Sequence, residues 1–532
     1  MSTLAIYPRH DANVSISNGQ EVMYFELEKF VQKRYFAFSE NIELFNNQLA
    51  SYLMNRIEPE SIDHLVCNWI DVLRLNVIKQ LLPNVNKVTF LRHHLSHAWS
   101  AYMFTAPTSN DLIASIDGGG DENDYFRIYS YSGDKIHELA NIPINLGKPY
   151  RLIGLLSPEL YRDQSTGYRM DLALSGKKMS LAALGKMRPE FVNAVKSFYL
   201  NFMEYYDPLT DSADINFSKL LQGLGFSGQM FLDRDTARDV LATSQYVFEE
   251  IIKEYLYPHI KSGLYSRVVM VGGCGLNVTM NSKIVKECNI EVFVPPCPND
   301  CGISLGAIKQ VYPNIPLIKH PFSHNLPDDA HELKIARREF YTSNVTINEI
   351  AQVLANGKII GTIVGPLEIG PRALGNRSYL ASPLIPGMKN RINSQQIKDR
   401  EVWRPVAPIL TIESMAHYFD NVLPSPYMTF APAVKSEFRK LLGEIMHIDC
   451  SARIQTVTSS DGWIYWLLKE FGKITSHEIL MNTSFNTKGN PLINSYGDAF
   501  KLLKTSSLDA VLVGSSSDKF ELFSKAERIS YE

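Results

Sequence analysis

One pattern of strand, polar loop and hairpin occurs twice in the N-terminal third of the chain, and it limits the fold more than any other feature. Residues 3–7, "TLAIY", read as an apolar strand, and after a polar loop a hairpin turns at Asn18-Gly19. The order recurs with "DLIASID" at residues 111–117, a glycine-rich loop and a hairpin around Gly133. A repeated unit of this kind predicts an internal duplication. The alternative is that two unrelated β-hairpins share a pattern.

The rest of the sequence predicts helices and then strand–helix units. Residues from about 150 to 260 are mostly helical in pattern, and "SRVVMVGGCGLNVTMNSKIVKE" combines an apolar strand, a glycine-rich turn and a helix. Residues 312–340 are rich in Pro, Asn and Asp and are interpreted as a linker. The segment 341–532 is then a second α/β domain. The chain is therefore predicted to be an α/β protein.

Length and composition indicate a globular protein of two or three domains, because 532 residues exceed what one hydrophobic core usually organises. The formal net charge of -3 argues against attachment to nucleic acid through bulk positive charge. The six cysteines are scattered without the pairing of a zinc site, which favours a reducing compartment. The start has no signal-peptide pattern, and no apolar run approaches the roughly 20 residues of a membrane span. We therefore predict a cytoplasmic location and no membrane partner.

The stretch "FLRHHLSHAWSAYMFTAP" places three histidines within five residues at the start of a helix. His93 and His97 share one helical face and can converge on one ion, whereas His94 points roughly 100° away. Asp117 and Asp300 each follow a predicted strand, where ligand groups of α/β sheets collect. Two imidazoles and two carboxylates suit Fe(II) or Mn(II) more than Ca(II). On its own, the histidine spacing is equally typical of two polar residues near a helix start.

The turn "VGGCGLNVTMN" follows one strand and precedes a helix. Gly272, Gly273 and Gly275 let the backbone approach a phosphate, and the positive end of the helix favours the phosphate charge. The turn is neither a Walker A motif nor a Rossmann fingerprint, since GxxxxGK and GxGxxG are absent. A tight strand-to-helix turn without a ligand is the alternative.

Cations in separate C-terminal segments predict an anion site. Arg372 in "GPRALGNRS", Arg404 in "VWRPVAP" and Arg453 in "HIDCSARIQTV" lie among apolar, proline or small residues, where a guanidinium without a partner would be costly. The forked donors of arginine match a phosphate or carboxylate dianion. Lys398 joins this set, although a lone surface lysine is usually solvated, and Asn482 in "MNTSFNTKGNP" adds an amide donor.

His10 and Asp11 follow the first strand and are the predicted catalytic residues. A histidine at a strand end beside a carboxylate is a candidate general acid–base group. A purely structural histidine is the alternative.

Together these segments resemble the O-carbamoyltransferase family of the nodulation and tobramycin carbamoyltransferase type. The resemblance spans nearly the whole chain, and its motifs include "HHLSHAWSA", "SIDGGGD", "SGKKMSLA", "GGCGLN", "GPRALGNRS", "WRPVAP", "ARIQTV" and "NTSFNTKGNP". It implies a duplicated N-terminal domain of the actin/sugar-kinase/Hsp70 superfold over residues 1–325, with subdomains at about 1–107 and 108–325. It also implies a C-terminal YrdC-like α/β domain over residues 341–532.

The resemblance implies a two-step, ATP-dependent transferase. The C-terminal domain binds carbamoyl phosphate and ATP and forms carbamoyl-adenylate, and the N-terminal domain transfers the carbamoyl group to an acceptor hydroxyl with release of AMP. His10 assists the loss of the acceptor's proton. The implied cofactors are a divalent metal, Fe(II) with Mn(II) or Mg(II) as alternatives, and ATP with Mg(II) as co-substrate.

The site residues implied by the resemblance fall into three sets. The set for carbamoyl phosphate and ATP is Arg372, Lys398, Arg404, Arg453 and Asn482. The set for the adenylate in the N-terminal domain is Gly272, Gly273, Gly275 and Asn277. The metal set is His93, His97, Asp117 and Asp300.

Departures from the family pattern leave the acceptor open. Ser180 stands in "GKKMSLA" where glycine is typical, and "PPCPNDCG" places Cys297 and Cys301 beside Asp300. We expect neither cysteine to be a metal ligand, since a buried Cys is a common packing residue. The acceptor is expected to be the hydroxyl of a sugar or natural product, with a 5-hydroxymethyl pyrimidine of a nucleotide or viral DNA as a further alternative.

Two other functions compete with this interpretation. One is an enzyme related to tRNA threonylcarbamoyl transfer, and the other is a non-catalytic ATP-binding scaffold of the Hsp70 fold. The oligomeric state is open between a monomer and a homodimer.

Overall fold

The chain, described by a computed structural model, folds into two compact units. One joins Met1–Thr89 to Ile318–Glu532, and the other is Phe90–Leu317. The residues described are 2–121, 124–161, 172–205, 216–229, 232–323, 330–420, 423–514 and 519–525. The first unit is thus discontinuous in sequence, whereas the second is one continuous segment. The domain limits predicted at residues 325 and 341 stay predictions.

The N-terminal residues build a five-stranded sheet. Its strands are β1 (Ser2–Tyr7), β2 (Asn13–Ser17), β3 (Val22–Glu26), β4 (Ile62–Cys67) and β5 (Lys87–Phe90). Their order is β3-β2-β1-β4-β5, with β1 antiparallel to β2 and parallel to β4. The predicted turn at Asn18-Gly19 joins β2 to β3, and Gly19 has a φ of 88°, which favours glycine. Three helices belong to the same segment: α1 (Leu27–Val31), α2 (Ile42–Tyr52) and α3 (Val72–Leu81).

The second unit contains a sheet with the same plan. Its strands are β6 (Asp111–Ile116), β7 (Phe126–Ser132), β8 (Lys135–Ile142), β9 (Arg267–Val271) and β10 (Glu291–Phe293). Their order is β10-β9-β6-β7-β8, with β6 antiparallel to β7 and parallel to β9. In both sheets the first strand therefore lies between an antiparallel hairpin and a parallel fourth strand. The predicted duplication is confirmed.

Helices make up most of the remaining described residues of the second unit. They are α4 (His93–Ala101), α5 (Gly147–Leu152), α6 (Pro158–Tyr161), α7 (Ala173–Ala182), α8 (Pro189–Leu200), α9 (Ser218–Gly223), α10 (Arg234–Lys261), α11 (Val278–Cys288) and α12 (Ile303–Val311). Helix α10 begins where the Asp233 carboxylate accepts from the backbone N–H groups of Asp235 and Thr236. Among the described helices, none has both the length and the apolar character that crossing a membrane requires.

The C-terminal residues form a mixed sheet of eight described strands. The strands are β11 (Tyr341–Val345), β12 (Ile360–Val364), β13 (Ser378–Ala381), β14 (Ala407–Thr411), β15 (Gln455–Val457), β16 (Ile479–Ser484), β17 (Ala510–Gly514) and β18 (Phe520–Ser524). Their order is β11-β18-β17-β12-β13-β16-β14-β15. Along β17, Val511 and Val513 pack into one hydrophobic cluster and Leu512 into another, as expected for a sheet buried on both faces. The predicted α/β class is confirmed for this sheet as for the other two.

The helices of the C-terminal segment correct one prediction. They are α13 (Ala330–Glu339), α14 (Ile347–Ala355), α15 (Met388–Asn393), α16 (Ile412–Tyr418), α17 (Trp463–Thr475) and α18 (Tyr496–Thr505). Helix α13 occupies part of the segment 312–340 that was predicted to be a linker, so that prediction is wrong for residues 330–339. The helix forms because Leu333, Ala336 and Phe340 repeat at helical spacing and pack against the core.

Candidate functional site

Two histidine side chains of helix α4 converge. His93 and His97 lie one turn apart, with relative exposures of 2% and 0%. The two Nε2 atoms are 3.1 Å apart. Burial lowers the pKa of His93, which favours the neutral imidazole that a metal ligand requires.

Two carboxylates join these imidazoles. Asp300 Oδ1 lies 3.5 Å from His93 Nε2 and 3.3 Å from His97 Nε2, and Asp117 Oδ2 lies 3.6 Å from His97 Nε2. One ligand atom from each of the four residues lies within 4.8 Å of all the others. The structure thus brings together the four residues of the predicted metal set, which we call the His/Asp group.

The His/Asp group fits a divalent cation by its charge. Both aspartates are largely buried, and the side chains of the group that face them are the imidazoles of His93 and His97. Two carboxylates placed together in a buried site need a positive charge between them. Two imidazole nitrogens and two carboxylate oxygens are the ligand set of Fe(II), Mn(II) or Zn(II) rather than of Ca(II).

The glycine turn after β9 positions Asp117. The N–H of Gly273 donates to Asp117 Oδ2, and the N–H of Gly118 donates to Asp117 Oδ1 at 2.6 Å. Gly272 has a φ of 82°, and a Cβ there would lie 2.2 Å from the carbonyl oxygen of Ile116. Only glycine fits here, where the chain leaving β9 passes close to the end of the parallel strand β6. The turn therefore fixes one carboxylate of the His/Asp group.

The backbone N–H groups of this turn already donate to acceptors within the protein. Gly272 N–H donates to Pro298 O at 2.8 Å, and Gly275 N–H donates to Gly272 O at 2.9 Å. Gly273 N–H donates to the Asp117 carboxylate. Asn277 Oδ1 accepts from Met280 N–H at 3.0 Å and begins α11. The predicted adenylate-binding role of this turn stays a prediction.

Close packing of α12 on α4 positions Asp300. Asp300 opens a single 3-10 turn, Asp300–Gly302, that leads directly into α12. A Cβ on Gly306 would lie 1.8 Å from Ser96 O, so the two helices touch backbone to backbone. The Asp300 carboxylate and the two imidazoles therefore lie on two helical elements that pack directly against each other.

The third histidine of the motif has a structural role. His94 Nδ1 lies 2.8 Å from Ser115 Oγ and Nε2 lies 3.1 Å from Asp124 O, which ties α4 to β6. Burial lowers the pKa of His94 to about 4. A ring with both nitrogens engaged in this way is not a ligand of the His/Asp group.

The two neighbouring cysteines lie outside the His/Asp group. Cys297 and Cys301 are both buried, and Cys301 Sγ donates to Asn299 Oδ1 at 3.0 Å. Neither belongs to the set of converging ligand atoms found among the described residues.

The predicted catalytic pair lies in the loop after β1. His10 Nδ1 is 3.3 Å from Asp11 Oδ2, with side-chain exposures of 29% and 8%. Asp11 has a φ of 58°, in the left-handed region, and its carbonyl oxygen accepts from Asn13 Nδ2 at 2.7 Å. The two side chains contact each other, and this pair belongs to the first unit.

A second site consists of cations in the C-terminal segment. Burial lowers the pKa of Arg372 to about 10, and the charge of Arg404 adds to the effect. Burial also lowers the pKa of Arg453 far below its usual range, with contributions from Arg372, Arg400 and Arg404. The charges of these arginines therefore disfavour one another's protonated forms. We call Arg372, Lys398, Arg400, Arg404 and Arg453 the cation cluster.

Two guanidinium N–H donors of the cation cluster are available to bind a ligand. Within the described part of the chain, the buried Nε atoms of Arg372 and Arg453 have no hydrogen-bond acceptor. Lys398 Nζ donates to Asn486 Oδ1 at 2.8 Å and Ser484 Oγ at 3.1 Å, and burial lowers its pKa far below the usual range. Half-buried guanidinium groups that repel one another are stabilised when an anion binds among them.

Asn482 supports the loop that carries Arg372. Its side-chain amide donates to Ala373 O at 3.2 Å and to Gln455 Oε1 at 2.7 Å, and the residue is fully buried. Its predicted contact with an anion stays a prediction.

Arg400 was missed by sequence reasoning. It lies in "KDREVW", a charge-rich segment that is typical of a solvated surface, so no local pattern singles it out. Burial lowers the pKa of Arg400 to about 9, with Arg404 as the next cause. Only the three-dimensional packing shows that it belongs to the cation cluster.

Two further residues of the "GPLEIGPRALGNRS" loop shape its backbone. Glu368 Oε1 accepts from the N–H groups of Leu374, Asn376 and Arg377 at 2.9–3.0 Å. Arg377 is fully buried, and its Nη1 donates to the carbonyl oxygens of Val364, Gly365 and Asn376. Together they hold the irregular loop in one conformation beside the cation cluster.

These features belong to a known class of enzymes: the chain is a member of the carbamoyltransferase family. Residues 23–308 match the model of the carbamoyltransferase N-terminus, and residues 351–518 match that of the C-terminus.

Among its relatives, the nodulation protein NolNO of Sinorhizobium fredii is 32% identical over 452 residues, which cover 81% of this chain and 64% of NolNO. The nodulation protein NolO of Bradyrhizobium diazoefficiens is 31% identical, and the match covers 80% of this chain and 78% of NolO. Among solved structures, full-length HypF in its phosphate- and nucleotide-bound form is 14% identical with a TM-score of 0.34, over 57% of this chain and 54% of HypF.

Proposed function

We propose that the chain is an ATP-dependent O-carbamoyltransferase that works in two steps. Carbamoyl phosphate, water and ATP react to give carbamoyl-adenylate, phosphate and pyrophosphate. An acceptor hydroxyl then attacks the carbamoyl carbon, and AMP leaves. Family membership supports the transfer of a carbamoyl group, and the cation cluster is the observation that carries the first step.

The cation cluster can offset the repulsion between the two anionic substrates of the first step. Carbamoyl phosphate and ATP are both anions, so bringing them together requires several fixed positive charges. Arg372 and Arg453, whose Nε atoms have no acceptor among the residues that the structure describes, supply these charges together with Lys398, Arg400 and Arg404, all within one unit of the protein. The carbamoyl carbon is a poor electrophile because its nitrogen donates electrons to the carbonyl, and an adenylate leaving group offsets this.

The His/Asp group supports the second step. His93, His97, Asp117 and Asp300 would hold a divalent metal, which would supply Lewis-acid stabilisation of the negative charge that develops on the carbamoyl group. His10, next to Asp11, is the base that accepts the proton of the acceptor hydroxyl. The acceptor class proposed is a sugar or natural-product alcohol, and a hydroxymethylated pyrimidine is the alternative to include in an acceptor library.

The test separates the two steps in single variants. Arg372→Ala should weaken the use of carbamoyl phosphate by roughly ten- to a hundred-fold, because it loses a charge-assisted contact. Supplying pre-made carbamoyl-adenylate should restore transfer in this variant. His97→Ala should show the opposite behaviour: adenylate formation persists, while transfer and bound metal are lost.

Matched controls are available for both substitutions. Arg56 and His137 are exposed and donate to nearby carbonyl oxygens, and Arg56 also lies 5.4 Å from the centre of the Phe30 ring; neither belongs to the two proposed sites, so Arg56→Ala and His137→Ala should retain both steps. If Arg372→Ala and His97→Ala impair both steps equally while these controls do not, the proposed division of labour is wrong.

A further inference from the structure

The loop that carries Arg34 is attached to segments of the cation cluster, although more than 300 residues separate them along the chain. Lys29 Nζ donates to the carbonyl oxygens of Glu368 at 2.8 Å and Gly370 at 2.7 Å. The N–H of Gly370 donates in return to Glu26 Oε2 at 3.0 Å. These contacts end two residues before Arg372, so they place the end of α1 beside the arginine loop.

A second attachment reaches another segment that contacts the cation cluster. Gln32 Nε2 donates to Leu492 O at 3.2 Å, just after the "NTSFNTKGNP" segment. That segment supplies Ser484 and Asn486, which bind Lys398 Nζ. The end of α1 and the loop after it therefore contact both the segment that leads to Arg372 and the segment that follows the acceptors of Lys398.

The loop has a defined backbone shape around Arg34. Gln32 and Tyr35 have φ angles of 50° and 54°, in the left-handed region that residues with side chains rarely adopt. Two such positions within four residues persist where surrounding contacts enforce them. The buried Glu28 provides one, because its Oε2 accepts from Tyr35 N–H at 2.8 Å. Arg34 itself is exposed, and its guanidinium lies 4.7 Å from the centre of the Tyr35 ring.

We propose that Arg34 is a further anion-binding residue at the rim of the carbamoyl phosphate site, held there by Lys29, Glu26 and Glu28. This inference rests on the proposed function of the cation cluster. An exposed cation at the rim attracts the incoming dianion and contacts its outer oxygens, while Arg372 and Arg453 bind it from inside.

Electrostatics agrees with this placement. Burial is the main cause that lowers the pKa of Arg372 and of Lys398, and the charge of Arg34 is a further cause in both. A cation that repels these two groups in the free protein gains favourable energy when a dianion binds between them.

The test compares two neighbouring cations of the same loop. Arg34→Ala should raise the KM for carbamoyl phosphate in adenylate formation by about tenfold and leave kcat little changed, since a rim contact acts on binding. Lys33→Ala removes an equal charge one residue away and should leave KM unchanged. Arg34→Lys keeps the positive charge without the forked donors of a guanidinium, so its KM should lie between those of the unaltered chain and Arg34→Ala. Thermal unfolding of each variant shows whether the loop still folds.

The outcomes separate this inference from the proposed function. Equal KM values for Arg34→Ala and Lys33→Ala, with a raised KM for Arg372→Ala, would overturn the role of Arg34 and leave the proposed function standing. An unaltered chain that does not use carbamoyl phosphate would overturn the proposed function itself. A raised KM confined to Arg34→Ala, with partial recovery in Arg34→Lys, supports the inference.

Discussion

At the scale of a single residue, Lys178 shows how burial acts on a charge. The side chain lies in α7, within the "SGKKMSLA" motif, and is fully buried. Its Nζ is 3.4 Å from the centre of the Tyr150 ring and has no hydrogen-bond acceptor among the described residues. Burial lowers its pKa far below the usual range, and Glu249 opposes the shift only in part. Burial in the folded protein therefore disfavours the charged form of this amine.

Lys178→Met should change how stability depends on pH. Because the folded-state pKa is below the unfolded value of about 10.4, the unfolded chain binds more protons between the two values, and stability rises with pH across that window. This contribution reaches about 1.4 kcal/mol per pH unit, and methionine removes it. Urea unfolding from neutral pH to about pH 10 measures the slope. The exposed Lys286→Met is the control, and equal slopes in all three proteins would contradict the prediction.

At the scale of elements, the contact between α4 and α12 should determine how well the His/Asp group keeps its geometry. Gly306→Ala places a methyl group 1.8 Å from Ser96 O, so the helices must separate. We expect a loss of about 1–3 kcal/mol of unfolding free energy and weaker metal retention, because His93 and His97 lie on one helix and Asp300 leads into the other. Unfolding curves and metal content per chain measure the two effects.

Gly176→Ala is the matched control for this helix contact. Gly176 also lies inside a helix, α7, but an added Cβ meets nothing within 4 Å. This substitution should stabilise the protein by about 0.4–1 kcal/mol through the unfolded state. If Gly306→Ala is as stable and as rich in metal as Gly176→Ala, the helix contact does not position the site.

Local signals decide which parts of the structure are predictable. His93 and His97 have helical spacing, and Asp117 and Asp300 follow strands, so the His/Asp group could be predicted from sequence. The attachment of the Arg34 loop to the cation-cluster segments lacks such a signal, because Lys29 makes it across more than 300 residues. The order of the C-terminal sheet has the same limit: β12 pairs with β17 in parallel, 150 residues apart at Ile360 and Ala510, and no local pattern specifies that neighbour.

At the scale of the whole molecule, one buried ion pair joins the two parts of the discontinuous unit. Lys29 and Glu26 are exposed by only 1% and 5%, and their atoms bind Glu368 and Gly370 as well as each other. Lys29→Met leaves the Glu26 carboxylate buried without its cation and should cost about 3–5 kcal/mol.

The double variant Glu26→Gln/Lys29→Met tests the origin of that cost. It removes both charges while keeping an acceptor for Gly370 N–H, so it should be more stable than Lys29→Met alone. Chemical unfolding of the two variants and of the unaltered chain provides the comparison. A double variant that is less stable than Lys29→Met would show that packing, and not the uncompensated charge, dominates.

The discontinuous unit also sets the order of events during synthesis. The contact between Lys29 and Gly370 spans 341 residues, and at about 5–20 residues per second a ribosome needs roughly 20–70 s to make the second partner after the first. During that interval the segment Phe90–Leu317 can complete its own core, and the hydrophobic cluster of the N-terminal sheet can pack within the first 89 residues, but Lys29 and Glu26 lack their partners Glu368 and Gly370. A nascent chain stalled before residue 368 should therefore be cleaved by protease in the loop after α1 sooner than the complete chain.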